Sequence, residues 1–231
     1  MKKSLLVLAL ASVFASAAQA DDGLATNFSL VTKYKFRGQD QSDPSSAWRP
    51  APQGGFDYTL GAFYAGVWTS AVGFGSGTEV DVYGGVKGDL GSGLGYDVGF
   101  LRYQYPGLAA ANTNEIYGAL TYGPVTAKYS HTVTDEYFGF AETKGTGYLD
   151  LTANVELSKG LTGNAHVGFT RFPGAGKAAS GVVNYVDWKL GATMDLDKGL
   201  SAGAAFVGAT KKDVWGDINK TRLVLTVTKT M

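Results

Sequence analysis

Cysteine is absent from all 231 residues, which removes disulfides as a source of stability and excludes zinc or iron–sulfur centres built on thiolates. Beyond residue 20 there is no run of the ~20 consecutive apolar residues that a membrane-spanning helix needs. An excess of positive charge is also missing. Lys and Arg number 20 and so do Asp and Glu, so nothing provides the basic face that nucleic acid requires. Histidine is limited to His131 and His166, and strings of the GxSxG or HExxH type do not occur. Asp-rich loops with calcium-binding spacing are missing as well. The strings GFGSG and GSGLG are not followed by Lys-Ser/Thr on a helix, so they do not read as phosphate loops. The expectation is a non-enzymatic protein without cofactor or metal.

What is present begins with an export signature. Lys2 and Lys3 precede an apolar stretch from Leu5 to Ala18, and Ala18-Gln19-Ala20 supplies small residues at a cleavage position. Residues 1–20 therefore read as a cleaved secretory signal peptide and 21–231 as one domain. Losing Lys2 and Lys3 leaves 18 basic against 20 acidic residues, a net charge of −2. Glycine, at 33 residues, is roughly twice as frequent as usual, and aromatics make up 13 %. An exported chain rich in glycine and aromatics, with no continuous apolar span, has the composition of a transmembrane β-barrel, whose strands are only half apolar.

The alternation agrees. Phe28, Leu30, Thr32, Tyr34 and Phe36 share one face, while Asn27, Ser29, Lys33, Lys35 and Arg37 share the other, with only Val31 out of place. Similar period-2 patterns run through 78–87, 147–157 and 185–194; residues 62–71 alternate least cleanly. The full reading gives about twelve strands, at 26–38, 53–60, 62–71, 78–87, 94–105, 114–122, 125–134, 147–157, 161–172, 185–194, 200–209 and 219–231. Between them, long and short connections take turns, and Pro44, Pro50, Pro52, Pro106 and Pro173 fall in the long ones. That predicts an all-β, up-and-down antiparallel barrel with short periplasmic turns and long extracellular loops. A soluble barrel with its apolar rows inward is the competing architecture, but such barrels usually have eight strands and this chain has length for more.

With the apolar rows facing lipid, charged side chains face the lumen. The phase assigns inward Lys33, Lys35, Arg37, Lys87, Lys128, Lys189, Lys220 and Arg222, with Asp57, Glu79, Asp81, Asp97, Glu115, Asp150, Glu156 and Asp187. Closure brings the first and last strands together. Lys33, Lys35, Arg37, Lys220 and Arg222 would then form a basic arc at the extracellular mouth, opposite an acidic arc of Glu79, Asp81 and Glu115. Such a pair of arcs sets up a transverse field that selects solutes by charge. Asp57, Lys128, Asp150, Asp187 and Lys189 would line the rest of the lumen. Mutual pairing that plugs the interior is the alternative. Tyr34, Phe36, Tyr58, Tyr96, Tyr129 and Trp188 suit interfacial girdles.

The histidines offer little catalysis. Ser130 neighbours His131 but points to the opposite face of a strand, and His166 shares its face with Asn164 and Thr170 without a local serine. A lipid-modifying barrel enzyme is therefore the weakest functional class. A non-conducting adhesin, receptor or structural barrel is stronger, because 135–146 (DEYFGFAETKGT) would present aromatics in a long loop.

The strings YKFRGQDQSDPSSAWRPAPQGGFDY, GAFYAGVWTS, EVDVYGG, YQYPG and NEIYG resemble the TorF family of porins, a proteobacterial outer-membrane β-barrel family. The resemblance spans nearly all of the mature chain and is densest over residues 34–120. It implies a barrel in the bacterial outer membrane and a porin role, without indicating a substrate. The expected function is passive diffusion of small polar solutes or ions through a charge-lined lumen. The expected partners are outer-membrane lipid, lipopolysaccharide, the outer-membrane assembly machinery and the solutes or ions themselves.

Overall fold

The computed structural model describes residues 22–75 and 77–231; the segment read as a signal peptide lies outside the described residues. Twelve antiparallel strands form a closed barrel. They are β1 (Gly23–Val31), β4 (Ala51–Leu60), β5 (Phe63–Ala71), β6 (Thr78–Asp89), β7 (Leu94–Gln104), β8 (Thr113–Tyr122), β9 (Val125–Thr132), β10 (Gly147–Ser158), β11 (Leu161–Arg171), β12 (Tyr185–Asp195), β13 (Leu200–Ala209) and β14 (Arg222–Thr230). Two further short strands, β2 (Lys35–Phe36) and β3 (Gln39–Asp40), pair only with each other. Every barrel strand pairs with its chain neighbour among the twelve, and β1 closes the sheet on β14 with Leu30 opposite Val227.

Alternation decides the faces. The ionic side chains of Glu79, Asp81, Glu115 and Asp187 are each 1 % exposed, whereas Phe56 is 61 % and Leu190 62 % exposed. This distribution is the reverse of a soluble globule, and it makes the outer wall a continuous apolar band. The irregular strand β5 resolves the same way. Tyr64 and Trp68 turn inward, while Phe63 and Val67 face out. Tyr58, Tyr129 and Trp188 also face out, as interfacial aromatics would.

Glycine serves the inner wall by its missing side chain. A Cβ on Gly66 would lie 2.6 Å from the Tyr83 ring, and one on Gly85 would lie 2.5 Å from the Tyr64 hydroxyl. These two tyrosines lie flat along the wall because the neighbouring strand leaves room. On the short-turn rim, Gly199 adopts φ 74°, and a Cβ there would sit 2.4 Å from the Thr230 carbonyl oxygen. Only glycine fits both the left-handed backbone and the close approach.

Many strand ends shift by one to three residues from the alternation-based expectation, and the two that touch the first and last long loops matter for the lumen. The first strand stops at Val31 rather than at residue 38, and the last starts at Arg222 rather than at 219. The cause is that β2 is itself extended, so its alternation continues that of β1 even though the chain has left the wall. Val31, the residue out of phase, is where the departure happens: it points inward and packs with Tyr34 and Trp68. Pro52, expected in a loop, lies in β4 opposite Leu30.

An arginine placed at the middle of the outer wall tests this orientation. Leu190→Arg should lower the unfolding free energy of the barrel in lipid vesicles by about 2–4 kcal/mol, read from denaturant titration. Unchanged stability would mean that Leu190 does not meet hydrocarbon.

A candidate site: the loop-filled lumen

Segment 32–50, between β1 and β4, does not project from the rim but folds into the barrel. Its hairpin β2–β3 turns at Arg37 (φ 46°) and Gly38 (φ 73°), the paired left-handed geometry of a tight two-residue hairpin. The tip meets the wall at β12 and β13. A Cβ on Gly38 would lie 2.5 Å from Asp187 Cβ and 2.8 Å from the Gly208 carbonyl oxygen, so no larger residue fits.

Three cations of this segment hold it in place, each with different partners. Lys33 pairs with Asp40 at 2.8 Å and donates to the carbonyls of Asp43 and Ser46. Lys35 donates to the carbonyls of Gly38 (3.1 Å), Ile218 (2.9 Å) and Lys220 (2.7 Å). Burial, opposed by Asp40, pushes its ammonium down to about 8. Arg37 crosses the lumen to β8. Its two terminal nitrogens meet the two Glu115 carboxylate oxygens at 2.9 and 2.7 Å, and it also donates to the Tyr137 hydroxyl at 3.1 Å. The guanidinium lies 4.1 Å from the centre of the Tyr148 ring. Burial opposes this charge, but Glu115 and the tyrosine hydroxyls overcome it and hold the group well above its ordinary range. A two-pronged Arg–carboxylate pair of this kind fixes orientation as well as charge.

The two predicted arcs therefore touch at one point rather than facing each other across water. Lys33 and Lys35 turn to the loop's own backbone and to segment 210–221. Lys220, expected in the lumen at the start of the last strand, is exposed in a loop and pairs with Asp217 at 2.7 Å. Arg222 does begin the last strand, and it donates to the Pro44 carbonyl at 2.9 Å. Of the acidic arc, Glu79 accepts from Tyr34 (2.8 Å) and Tyr105 (2.6 Å), while Asp81 Oδ1 is buried without a hydrogen-bond partner. Tyr34 and Phe36, expected in a girdle, lie inside: Phe36 packs edge-on against Tyr103 and Phe138. The aromatics of 135–146 also fold inward rather than presenting themselves. Tyr137 is buried against Phe172 and Arg37.

Nearer the short turns the inner wall is less covered. Asp57, Asp97, Lys128 and Asp150 lie on the inner face and are half-buried. Tyr83 donates to Asp57 and Tyr64 to Asp97, each at 2.6 Å, and the Lys128 ammonium stands 3.9 Å from the Tyr117 ring centre. Lys189 and Asp187 are buried on the same face. The alternation missed the part played by tyrosine. Tyr83 and Tyr148 are two residues from Asp81 and Asp150 respectively, so their inward direction was readable, but their pairing with carboxylates on other strands was not.

His166 joins a cluster that no local string announces. Its Nδ1 is 3.1 Å from Asp150 Oδ1, and its Nε2 is 2.7 Å from Asp187 Oδ1 and 3.2 Å from the Tyr148 hydroxyl. With a carboxylate at each ring nitrogen, the ring serves as a bridge across β10, β11 and β12, and neither nitrogen is left for proton abstraction. Among the described residues, no group of three or more His, Asp or Glu is arranged to hold a metal ion.

A family model described as a bacterial protein of unknown function (Gcw_chp) matches residues 15–231. The matched model carries the name Gcw_chp and does not itself carry the TorF name; the barrel fold that the TorF resemblance implied is present. No curated protein matches the chain. Among solved structures, the barrel is similar to the KdgM porin in complex with disordered oligogalacturonate. That likeness has 9 % identity and a TM-score of 0.59, and covers 89 % of this chain and 98 % of that one. It is also similar to the NanC porin, at 8 % identity and TM-score 0.56, covering 89 % of this chain and 98 % of that one. The shared feature is the outer-membrane porin fold.

Removing one partner of the lumenal ion pair should free the loop without opening the wall. Arg37→Ala is expected to cost the folded loop about 3–5 kcal/mol, and replacing both Arg37 and Glu115 by apolar residues much less. Hydrogen exchange at residues 32–50 reads the difference, while retained heat-modifiable gel migration reports an intact barrel. Unaltered exchange in Arg37→Ala would remove the pair as the loop's anchor.

Proposed function

The chain belongs to the Gcw_chp family of bacterial proteins, and on that premise we propose that it is an outer-membrane channel passing small polar solutes or ions. Segment 32–50 is its constriction. One observation carries the reading: a polar, ion-bearing lumen is entered by its own first long loop, whose Arg37 reaches Glu115 on the far wall. The proposed orientation sets the long loops outside the cell and the short turns in the periplasm, with residues 1–20 removed on export.

The charges suggest the solute class. The strands β4 to β8 carry Asp57, Glu79, Asp81, Asp97 and Glu115 inward against the single cation Lys87, while the cations of the loop are engaged in holding it. Acidic saccharides such as the one bound by the KdgM porin would meet like charge along that half of the wall. Neutral polar solutes and small cations would not. Passage follows the half-buried wall from the short-turn side and is limited where Arg37 reaches Glu115. Lipopolysaccharide and outer-membrane lipid surround the band of outward apolar residues, and the assembly machinery inserts it.

The non-conducting adhesin reading has less support, because Tyr137 is buried, Phe138 packs on Phe36 of the first loop and Phe140 packs on Trp215. For the lipid-modifying enzyme, His166 is engaged on both nitrogens and Ser130 faces away from His131, toward the lumen.

Planar-bilayer recording tests the channel. The wild type is expected to give small unitary steps that favour cations in a salt gradient, and Glu115→Gln larger or longer ones. Folded protein that gives no open events, in either form, would sink the proposal.

A further inference from the structure

The outer wall is mostly apolar, and one recess in it is bordered by a cation. Beside the long-loop rim, a hollow of about 410 Å³ is lined by Tyr129, Gly145, Gly147, Leu149, Phe169 and Arg171, among others. Its size falls within the ~300–1,000 Å³ range of small-ligand sites. The strand register explains its position. Gly147, the first residue of β10, stands opposite His131 on β9 and opposite Arg171 on β11. The three lie in one row at the ends of their strands nearest the loops.

The hollow exists because side chains are missing there. Gly147 leaves the space over which Tyr129 lies, since a Cβ would stand 2.5 Å from the tyrosine hydroxyl. Gly145 adopts φ 83°, and a Cβ on it would lie 3.6 Å from the His131 ring. Below the row, Tyr129, Leu149 and Phe169 are exposed apolar side chains on the lipid face. At its upper edge Arg171 is exposed, and among the described residues it has no ion-pair partner. The neighbouring Lys144 is already paired with Asp135 at 3.0 Å, and Glu142 is exposed on the same loop. The cation lining the hollow is thus Arg171; His131 stands two strands away across Gly147, outside the lining itself.

We propose that this recess binds one phosphorylated glycolipid of the outer leaflet, lipid A, with a phosphate on Arg171 and an acyl chain along Tyr129, Leu149 and Phe169. The match is one of charge and depth together. The cation stands at the loop end of β11, the end that the proposed orientation sets at the headgroups, and the apolar floor runs from it down the strands. An arginine guanidinium presents several donors to one phosphate, which a lysine at the same place would not. The assignment requires the barrel to sit in the outer membrane, and it is independent of whether the lumen conducts.

Native mass spectrometry of the folded barrel in neutral detergent tests it, with diphosphorylated lipid A, dephosphorylated lipid A and inorganic phosphate as separate probes. One diphosphorylated lipid A per barrel should be retained. Arg171→Gln should weaken retention about tenfold or more, the scale of one lost charge-assisted contact. Lys212→Gln, which removes an exposed cation elsewhere on the same rim, should leave it unaltered. Heat-modifiable gel migration verifies that each variant is folded. Equal retention by wild type and Arg171→Gln would overturn the site. So would equal loss in Lys212→Gln, equal binding of the dephosphorylated lipid, or full competition by inorganic phosphate.

Discussion

In hydrocarbon no water is available to pair with the backbone, so every N–H and C=O that crosses must be satisfied by the protein itself. The pairing of β1 with β14 meets that demand by leaving no free edge. Once the sheet is closed, the two-residue period of each strand allots its side chains to lipid or to lumen, and the rest of the structure follows from that allotment. Leu190 and Phe56 go out; Glu79, Asp81 and Glu115 go in.

An interior collecting so many carboxylates needs partners for them, and the wall supplies few cations at the right height. The chain brings one from outside the wall. Segment 32–50 carries Arg37 inward on a hairpin, and the Arg37–Glu115 pair joins that hairpin to the far side, while Lys33 and Lys35 hold the loop itself. A non-glycine residue at φ 46° is an unfavoured backbone state that persists only when its surroundings fix it. Two charged contacts to Glu115 and one to Tyr137 do so here. The tyrosines supply the remaining donors: Tyr34 and Tyr105 to Glu79, Tyr83 to Asp57, Tyr64 to Asp97. Carboxylates that would be costly alone are thereby hydrogen-bonded. Their rings fit against the wall where Gly66 and Gly85 make room, which gives part of the glycine excess a structural purpose.

The two histidines illustrate how facing determines chemistry. His166, inward, is held between Asp150 and Asp187 and ties three strands together. His131, outward at the rim, stands next to Gly145 and Gly147, which line the apolar hollow that Arg171 borders. Neither is distinguished from the other by its neighbours in sequence.

Alternation, turn residues and the pattern of long and short connections determined the fold class, the strand number and the inward side of Asp57, Glu115, Lys128, Asp187 and Lys189. They suffice because facing has a period of two residues and depends only on local geometry. The sequence alone did not place Lys33, Lys35 and Arg37, because an extended hairpin inside the barrel alternates just as a strand of its wall does. Which charges meet, Arg37 with Glu115 across the lumen and His166 with two aspartates, was decided only in three dimensions. Those contacts join residues far apart in the chain, and their distances depend on how the barrel closes and where its first loop folds.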